Sequence, residues 1–332
     1  MYRYILNRLL LSIPTLIGAA ALVFILMRLI PGDICVVRLG SGGSINPTAV
    51  ANCHAQLGLD RSLVLQFFDF IAGFARGDFG TSMWSGKPVS QEIATRIPVS
   101  LEIALLATLV AVLIAIPLGT ISALHQNSWL DHIVRTVAIA GIATPSFWLG
   151  IMSILVVLEV SHLAFGAPWM PPIDYVSLWD DPLRNLSIVI LPAITIGYRY
   201  SAVTMRMTRS AMLEVLREDY IRTARAKGLF EHIVVNRHAL QNALLPVVTL
   251  IGIEFAFLIG GLVVTEQVFN LNGIGRLFVQ AVQNQDYTLT QALVMLTVAV
   301  FVLTNLVVDV MYAWLDPRIR FGCGKRCYDR RR

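Results

Sequence analysis

Glu214-Val215-Leu216-Arg217-Glu218-Asp219-Tyr220-Ile221-Arg222-Thr223-Ala224-Arg225-Ala226-Lys227-Gly228 lies between the fourth and fifth apolar stretches of the chain. Its residues predict a short amphipathic helix, rich in arginine and ending in small residues, set between two membrane spans. Such a segment offers a soluble partner something to grip. It also sorts the rest of the chain, because the long apolar runs on both sides then have to be spans.

Composition agrees. Of the 332 residues 56% are hydrophobic and 14% charged, where a soluble chain carries about 25% charged residues. The apolar runs predict six spans: Leu9–Ile30, Val99–Leu124, Ile133–Val160, Ile188–Met205, Pro246–Thr265 and Leu289–Leu315. Each is long enough for a hydrocarbon core of about 30 Å. The fourth is the weakest, diluted by Pro192, Gly197, Arg199 and Arg206. The run after Arg8 continues through Phe24, Ile25 and Leu26, too long for a secretory signal, so it reads as a retained first span. The expected fold is an all-α integral membrane bundle. Residues 1–98 would hold the first span and an external segment, 99–315 the remaining spans, and 316–332 a basic inner tail.

With both termini in the cytoplasm, 17 lysines and arginines fall inside and 7 outside, which the positive-inside rule favours. The net charge of +5 then reflects inner-leaflet contact and insertion, not nucleic-acid binding. In the external segment Gly40-Ser41-Gly42-Gly43-Ser44 predicts a flexible turn, and two short helical patterns follow, near Pro47–Leu57 and Ser62–Phe74. They suit a small cap that either seals the bundle or docks a soluble partner. Cys35 and Cys53 flank the turn, and an oxidising compartment would let them pair; their Cα separation is not readable from sequence. Cys323 and Cys327 in the tail lack a second ligand pair and read as free thiols, not a metal site.

Ionisable residues inside spans are expensive and are candidates for a transport path. Glu254, in the middle of the fifth span, is the best placed, either in the path or as a structural group. Glu102, Glu159, Glu266 and Asp309 lie nearer span ends and are expected in interfacial or interhelix hydrogen bonds. Arg199 would pair with a carboxylate or snorkel to the inner surface. Metalloprotease, serine-hydrolase and nucleotide-binding signatures are missing, so no catalytic residue is expected, and any ATP would be bound by another chain. Asp78-Phe79-Gly80 matches a kinase tripeptide, but none of its companion motifs is present.

The run Arg217–Leu229 resembles the coupling segment of the inner-membrane permeases of dipeptide/oligopeptide ABC importers, and His238-Ala239-Leu240-Gln241-Asn242-Ala243-Leu244-Leu245-Pro246 is similar to the stretch that re-enters the membrane after it. Further matches run in family order: Pro31-Gly32-Asp33, Leu57-Gly58-Leu59-Asp60, Gly77-Asp78-Phe79-Gly80, Thr265-Glu266-Gln267-Val268-Phe269 ending at Gly273-Ile274-Gly275, and Leu315-Asp316-Pro317-Arg318-Ile319-Arg320. One departure is that Arg222-Thr223-Ala224 stands where the broader importer signature has Glu-Ala-Ala.

The resemblance implies a six-helix type I importer permease forming half of a pore for di- or oligopeptides. It implies a homologous second permease, two ATPase subunits carrying ATP and Mg, an external solute-binding protein and no cofactor on this chain. Docking to the ATPase would fall to Glu218, Asp219, Arg222, Thr223, Ala224, Arg225, Ala226, Lys227 and Gly228. Ala224 and Gly228, four apart, are expected to share the docking face. A permease of the same architecture for glutathione, a nickel chelate or an amino-acid conjugate is the near alternative. An ion-coupled secondary transporter using Glu254 is the distant one.

Overall fold

In hydrocarbon every backbone N–H and C=O must be satisfied within the segment, so apolar runs of this length close into helices. The computed structural model describes residues 2–29, 33, 35–36, 39, 47–172 and 174–315. Pro31 and Gly32, the expected turn Gly40–Ser44, the tail 316–332 and, within it, Cys323 and Cys327 lie outside the described residues. Among the described residues there is no strand beyond a single bridge between Thr81 and Pro88. Six helices are long and apolar enough to cross a membrane: Leu10–Leu29, Val89–Leu124, Ser146–Phe165, Pro182–Val215, Glu231–Gly260 and Tyr287–Met311.

In chain order the helices are α1 (Tyr2–Leu29), α2 (Pro47–Leu57), α3 (Leu63–Arg76), α4 (Val89–Leu124), α5 (Trp129–Ala143), α6 (Ser146–Phe165), α7 (Pro182–Val215) and α8 (Asp219–Ala226). A turn at Glu231–Ile233 and a π-helix at Val234–Ala239 lead into α9 (Leu240–Gly261), then α10 (Val263–Val268), α11 (Ile274–Gln283) and α12 (Tyr287–Leu315). The two short external patterns are α2 and α3. The third expected span is instead two helices, because Pro145 removes a helical donor and forces Thr144 into extended backbone (φ −86°, ψ 127°). Ser128 starts α5 by accepting the Asp131 N–H at 3.3 Å, and Asp181 starts α7 by accepting the Arg184 N–H at 3.1 Å, with Pro182 following in the first turn.

The fourth span, weakest by composition, is the centre of the bundle. α7 and α4 form the most extensive helix pair, and both run through an internal proline, Pro192 in α7 and Pro98 and Pro117 in α4. Pro98 lies inside α4, so the domain boundary read between 98 and 99 falls within a helix. Two glycines let the backbones close up. A Cβ on Gly197 would stand 2.6 Å from Val110 Cγ1, and one on Gly119 would stand 2.8 Å from the Met205 carbonyl oxygen. This is the small-residue packing that replaces the hydrophobic effect between helices in lipid. The main core follows the same seam, with Val99, Ile103, Ala104 and Ala107 of α4 against Ile188, Val189 and Ile196 of α7 and Leu258 of α9.

Candidate functional site

The quoted segment folds as the short helix the sequence predicts, and its placement follows from two residues. Ile221 and Ala224, three apart on one helical face, are buried against Ala211 and Met212 of α7, Ala123 of α4, Val234, Val235 and Ala239 of the π-helix, and Ala243 of α9. The other face is open. Glu218, Asp219, Arg222, Thr223, Arg225, Ala226, Lys227 and Gly228 are exposed together, joined by Tyr220 and by Phe230 at 73% exposure.

The expectation that Ala224 and Gly228 share that face is overturned. Ala224 points into the chain's own core, where helical periodicity sets it beside Ile221. Gly228 lies past the helix end in the left-handed region (φ +77°), with open space where a Cβ would stand. Its N–H donates to the Arg225 carbonyl at 2.9 Å and the Leu229 N–H to that of Ala224 at 3.4 Å, closing the helix as glycine does after a C-terminus. The glycine is therefore required by backbone conformation. The way back to the membrane is held by Arg225, whose Nε and Nη2 donate to Glu231 Oε2 and Oε1 at 3.1 and 2.6 Å. Asn242 Nδ2 donates to Tyr220 Oη at 3.0 Å and to the His238 carbonyl at 2.8 Å.

Beside this helix lies a group that the sequence reading missed. Asp131, fully buried at the start of α5, accepts Arg209 Nε and Nη2 in a fork, each at 2.8 Å, the Ser122 hydroxyl at 2.6 Å and the Asn127 N–H at 3.0 Å. The Arg209 guanidinium, helped by Ser122 and Asn127 and opposed by burial, holds the Asp131 carboxyl well below the usual carboxylate range. This ties the turn between α4 and α5 to the C-terminal end of α7, one helical turn from Met212 on which Ile221 rests. Asn127 in the left-handed region (φ 64°) and Ser128 before an acidic residue were the available signals.

Within the membrane, Glu254 of α9 accepts the Thr204 hydroxyl of α7 at 2.8 Å. Arg199 is exposed and makes no ion pair among the described residues; its guanidinium carbon is 5.8 Å from the Tyr200 ring centre. Glu102 accepts the Tyr175 hydroxyl at 2.8 Å and Asn185 Nδ2 at 3.0 Å, the interhelix bonding expected of it.

At the end of the bundle away from α8, Glu266 of α10 is fully buried. Its Oε1 accepts the Ser100 hydroxyl at 2.7 Å and its Oε2 the Arg276 N–H at 2.8 Å, while the Ile274 N–H donates to Ser100 Oγ at 2.8 Å. Burial raises the Glu266 carboxyl above its ordinary value against these bonds. A Cβ on Gly273 would overlap both Glu266 Oε1 and Ser100 Oγ, so the Glu-to-glycine spacing of the motif is a lock on the start of α11. Cys35 and Cys53 form a disulfide with a Cα separation of 5.9 Å, next to His54, whose Nε2 lies 2.8 Å from Asp33 Oδ2.

The six membrane-length helices and the short exposed helix between the fourth and fifth of them can be set beside what comparison with known proteins finds. The profile described as "Binding-protein-dependent transport system inner membrane component" matches residues 115–321, and the corresponding N-terminal profile matches residues 1–104. The chain belongs to this family. Among its relatives, the glutathione transport system permease protein GsiC of Salmonella typhimurium is 43% identical over 97% of this chain and the whole of that protein. GsiC of Escherichia coli K12 is 41% identical over the same shares. The permease is thus a multi-pass inner-membrane subunit of an ABC importer and not itself an enzyme. Such a subunit works with a second permease, with ATPases that hydrolyse the ATP, and with a binding protein. Membership leaves the ion-coupled reading of Glu254 without support.

Proposed function

We propose that this permease forms one half of the pore of an ATP-driven importer of glutathione or similar short peptides. The observation that carries the coupling half of this reading is the two-sided helix α8. Its apolar side is committed to the chain's own core, and its charged side, from Glu218 to Gly228 apart from Ile221 and Ala224, is free to lie in a groove of an ATPase. Arg222 and Lys227 would meet an acidic rim there, with Arg225 holding the following turn through Glu231. ATP and Mg sit on the partner, and its closure drives α8 and the attached spans as a rigid body.

Support for the cargo comes from the relatives, which carry glutathione transport in their names and align over nearly the whole chain. Glutathione is itself a short peptide, so the resemblance to peptide permeases and these relatives point to one solute chemistry. Both termini are taken to be cytoplasmic, with α8 inside and α2 and α3 outside, because the arginine-rich segments then all face inward. Glu254 is taken to border the translocation path.

Gentle detergent extraction of the tagged chain from its native membrane, with mass spectrometry of what accompanies it, tests this reading. Recovery of ATPase chains, a second permease and a binding protein that holds glutathione is expected. A binding protein holding a nickel chelate or another solute would overturn the cargo and leave the importer.

A further inference from the structure

Three of the four arginines of α7 lie in its C-terminal half, and their placements differ. Arg209 is turned to Asp131 and fixed there. Arg199 and Arg206, seven apart, fall on a single stripe with Val203 and Ser210; both arginines and Ser210 are exposed. That stripe faces away from Gly197, Ser201 and Thr208, which are buried toward α4. On one side of it Tyr198 donates its hydroxyl to the Val137 carbonyl of α5 at 3.0 Å. On the other, Thr204 is bonded to Glu254 of α9 at 2.8 Å. The stripe is thus the floor of a groove between α5 and α9.

Depth decides what can cover it. The Arg209 to Asp131 pair ties α7 to the turn after α4 and so marks the α8 end of the bundle. Arg199 lies ten residues before Arg209 on α7, about 15 Å at about 1.5 Å per residue, and inside the apolar run Ile188–Met205 that spans the hydrocarbon core. An arginine within a span is costly against lipid and is placed facing protein or a water-filled cavity. Arg199 has no carboxylate within ion-pair distance among the described residues; the one it feels is Glu254, at longer range with Tyr200 beside both, so the two opposite charges stand apart with room for a solute to bridge them.

We propose that the Arg199–Arg206 stripe lines the translocation path and that Arg199 takes the carboxylate of the passing solute. Glu254, across Tyr200 from it, faces the solute's ammonium group. Arg206 is the next cation inward, about 10 Å along the helix, and receives the carboxylate as the solute leaves. The path is thereby matched to amino-acid-derived zwitterions and anions and is poorly suited to a neutral or cationic cargo. This rests on the proposal that the chain is half of an importer pore, and it adds the residue that reads the charge.

The test uses the complete transporter in proteoliposomes with its binding protein, and two probes, glutathione and glutathione amidated at its glycine carboxylate. The same binding protein serves every variant, so its own preference cancels when uptake ratios are compared. Arg199→Gln is expected to lower the acid-to-amide uptake ratio about tenfold, and Arg199→Lys to keep most of it. An equal loss of both probes, or an unchanged ratio, overturns the assignment.

A second measurement needs no change at Arg199. Val203→Cys, with Cys323 and Cys327 replaced by serine, is expected to react with a membrane-impermeant thiol reagent during turnover and to be protected by S-methylglutathione, whose blocked sulfur does not consume the reagent. A Val203→Cys that stays unreactive in a working transporter means that the stripe faces lipid or protein, and the inference fails alone. If the unaltered complex shows no ATP-driven uptake of either probe, the importer reading for this cargo fails first and takes the inference with it.

Discussion

At the end of the bundle that carries α10 and α11, Glu266 and Asp286 are buried carboxylates with no ion pair among the described residues. Glu266 is bonded by Ser100 and the Arg276 N–H, and Asp286 by the Ser82 hydroxyl at 2.5 Å and the N–H groups of Met83, Trp84 and Leu289 at 3.1, 3.2 and 3.0 Å. At the opposite end Asp131 is held by a guanidinium fork, and α8 rests on apolar contacts with its polar groups outward. Backbone donors cannot be moved without moving the loop that carries them, so the first network freezes two loops onto the helices. An apolar seat fixes α8 against its own bundle and leaves its charges exposed. One end holds two loops in shape, and the other, on the coupling role proposed above, would pass on a push.

Breaking the Asp131 anchor is expected to have the largest effect. Asp131→Ala leaves the Arg209 charge buried and unpaired, which costs about 3–5 kcal/mol, read as lost assembly or a lowered thermal midpoint in detergent. Because the folded pKa of Asp131 is depressed, this contribution is present above its unfolded value of about 4 and is lost as pH falls below it. A stability profile flat between pH 7 and pH 3 would argue against the pair as an anchor.

Next, Ile221→Ala removes the largest buried side chain under α8, at about 2–5 kcal/mol for a buried isoleucine. The loss should fall on coupling. ATP hydrolysis by the complex should persist while solute-dependent stimulation drops, and normal stimulation would show that α8 is seated by something else. Glu266→Gln should cost about 1–3 kcal/mol by presenting an amide to groups that need an acceptor. It should appear as faster hydrogen exchange at Ile274 and Arg276, with coupling retained. Equal damage to coupling from Glu266→Gln and Ile221→Ala would erase the contrast between the two ends. The smallest change is Gly228→Ala, about 1–2 kcal/mol for a Cβ in the left-handed region, measurable as fraying of α8 by hydrogen exchange at Leu229.

The spans were legible because hydrophobic runs in lipid have one solution. What the sequence hid was where helices break and which charges are structural. Thr144–Pro145 splits the third span, yet Pro98, Pro117 and Pro192 sit inside continuous helices, because bundle neighbours compensate for the lost donor at some prolines and not at others. The hairpin of α10 and α11 had a readable signal in Ile274, Leu277, Phe278 and Ala281 at helical spacing, hidden by the search for runs of twenty. Asp131 and Arg209 are 78 residues apart, and nothing local links them. Eight of the nine docking candidates lie on one open surface. Ala224 does not, since a small residue in an amphipathic helix fits a seat as well as a docking face.

The π-helix at Val234–Ala239 has a consequence for anyone mapping faces by counting. A π-turn spends about one residue more per revolution than the 3.6 of an α-helix, so its exit is phase-shifted by about 100° against an unbroken helical wheel. A wheel drawn from Glu231 through Glu254 would therefore assign Glu254, Phe257 and their neighbours to the wrong azimuth. Cysteine scans across this span need two wheels, one on each side of residue 239.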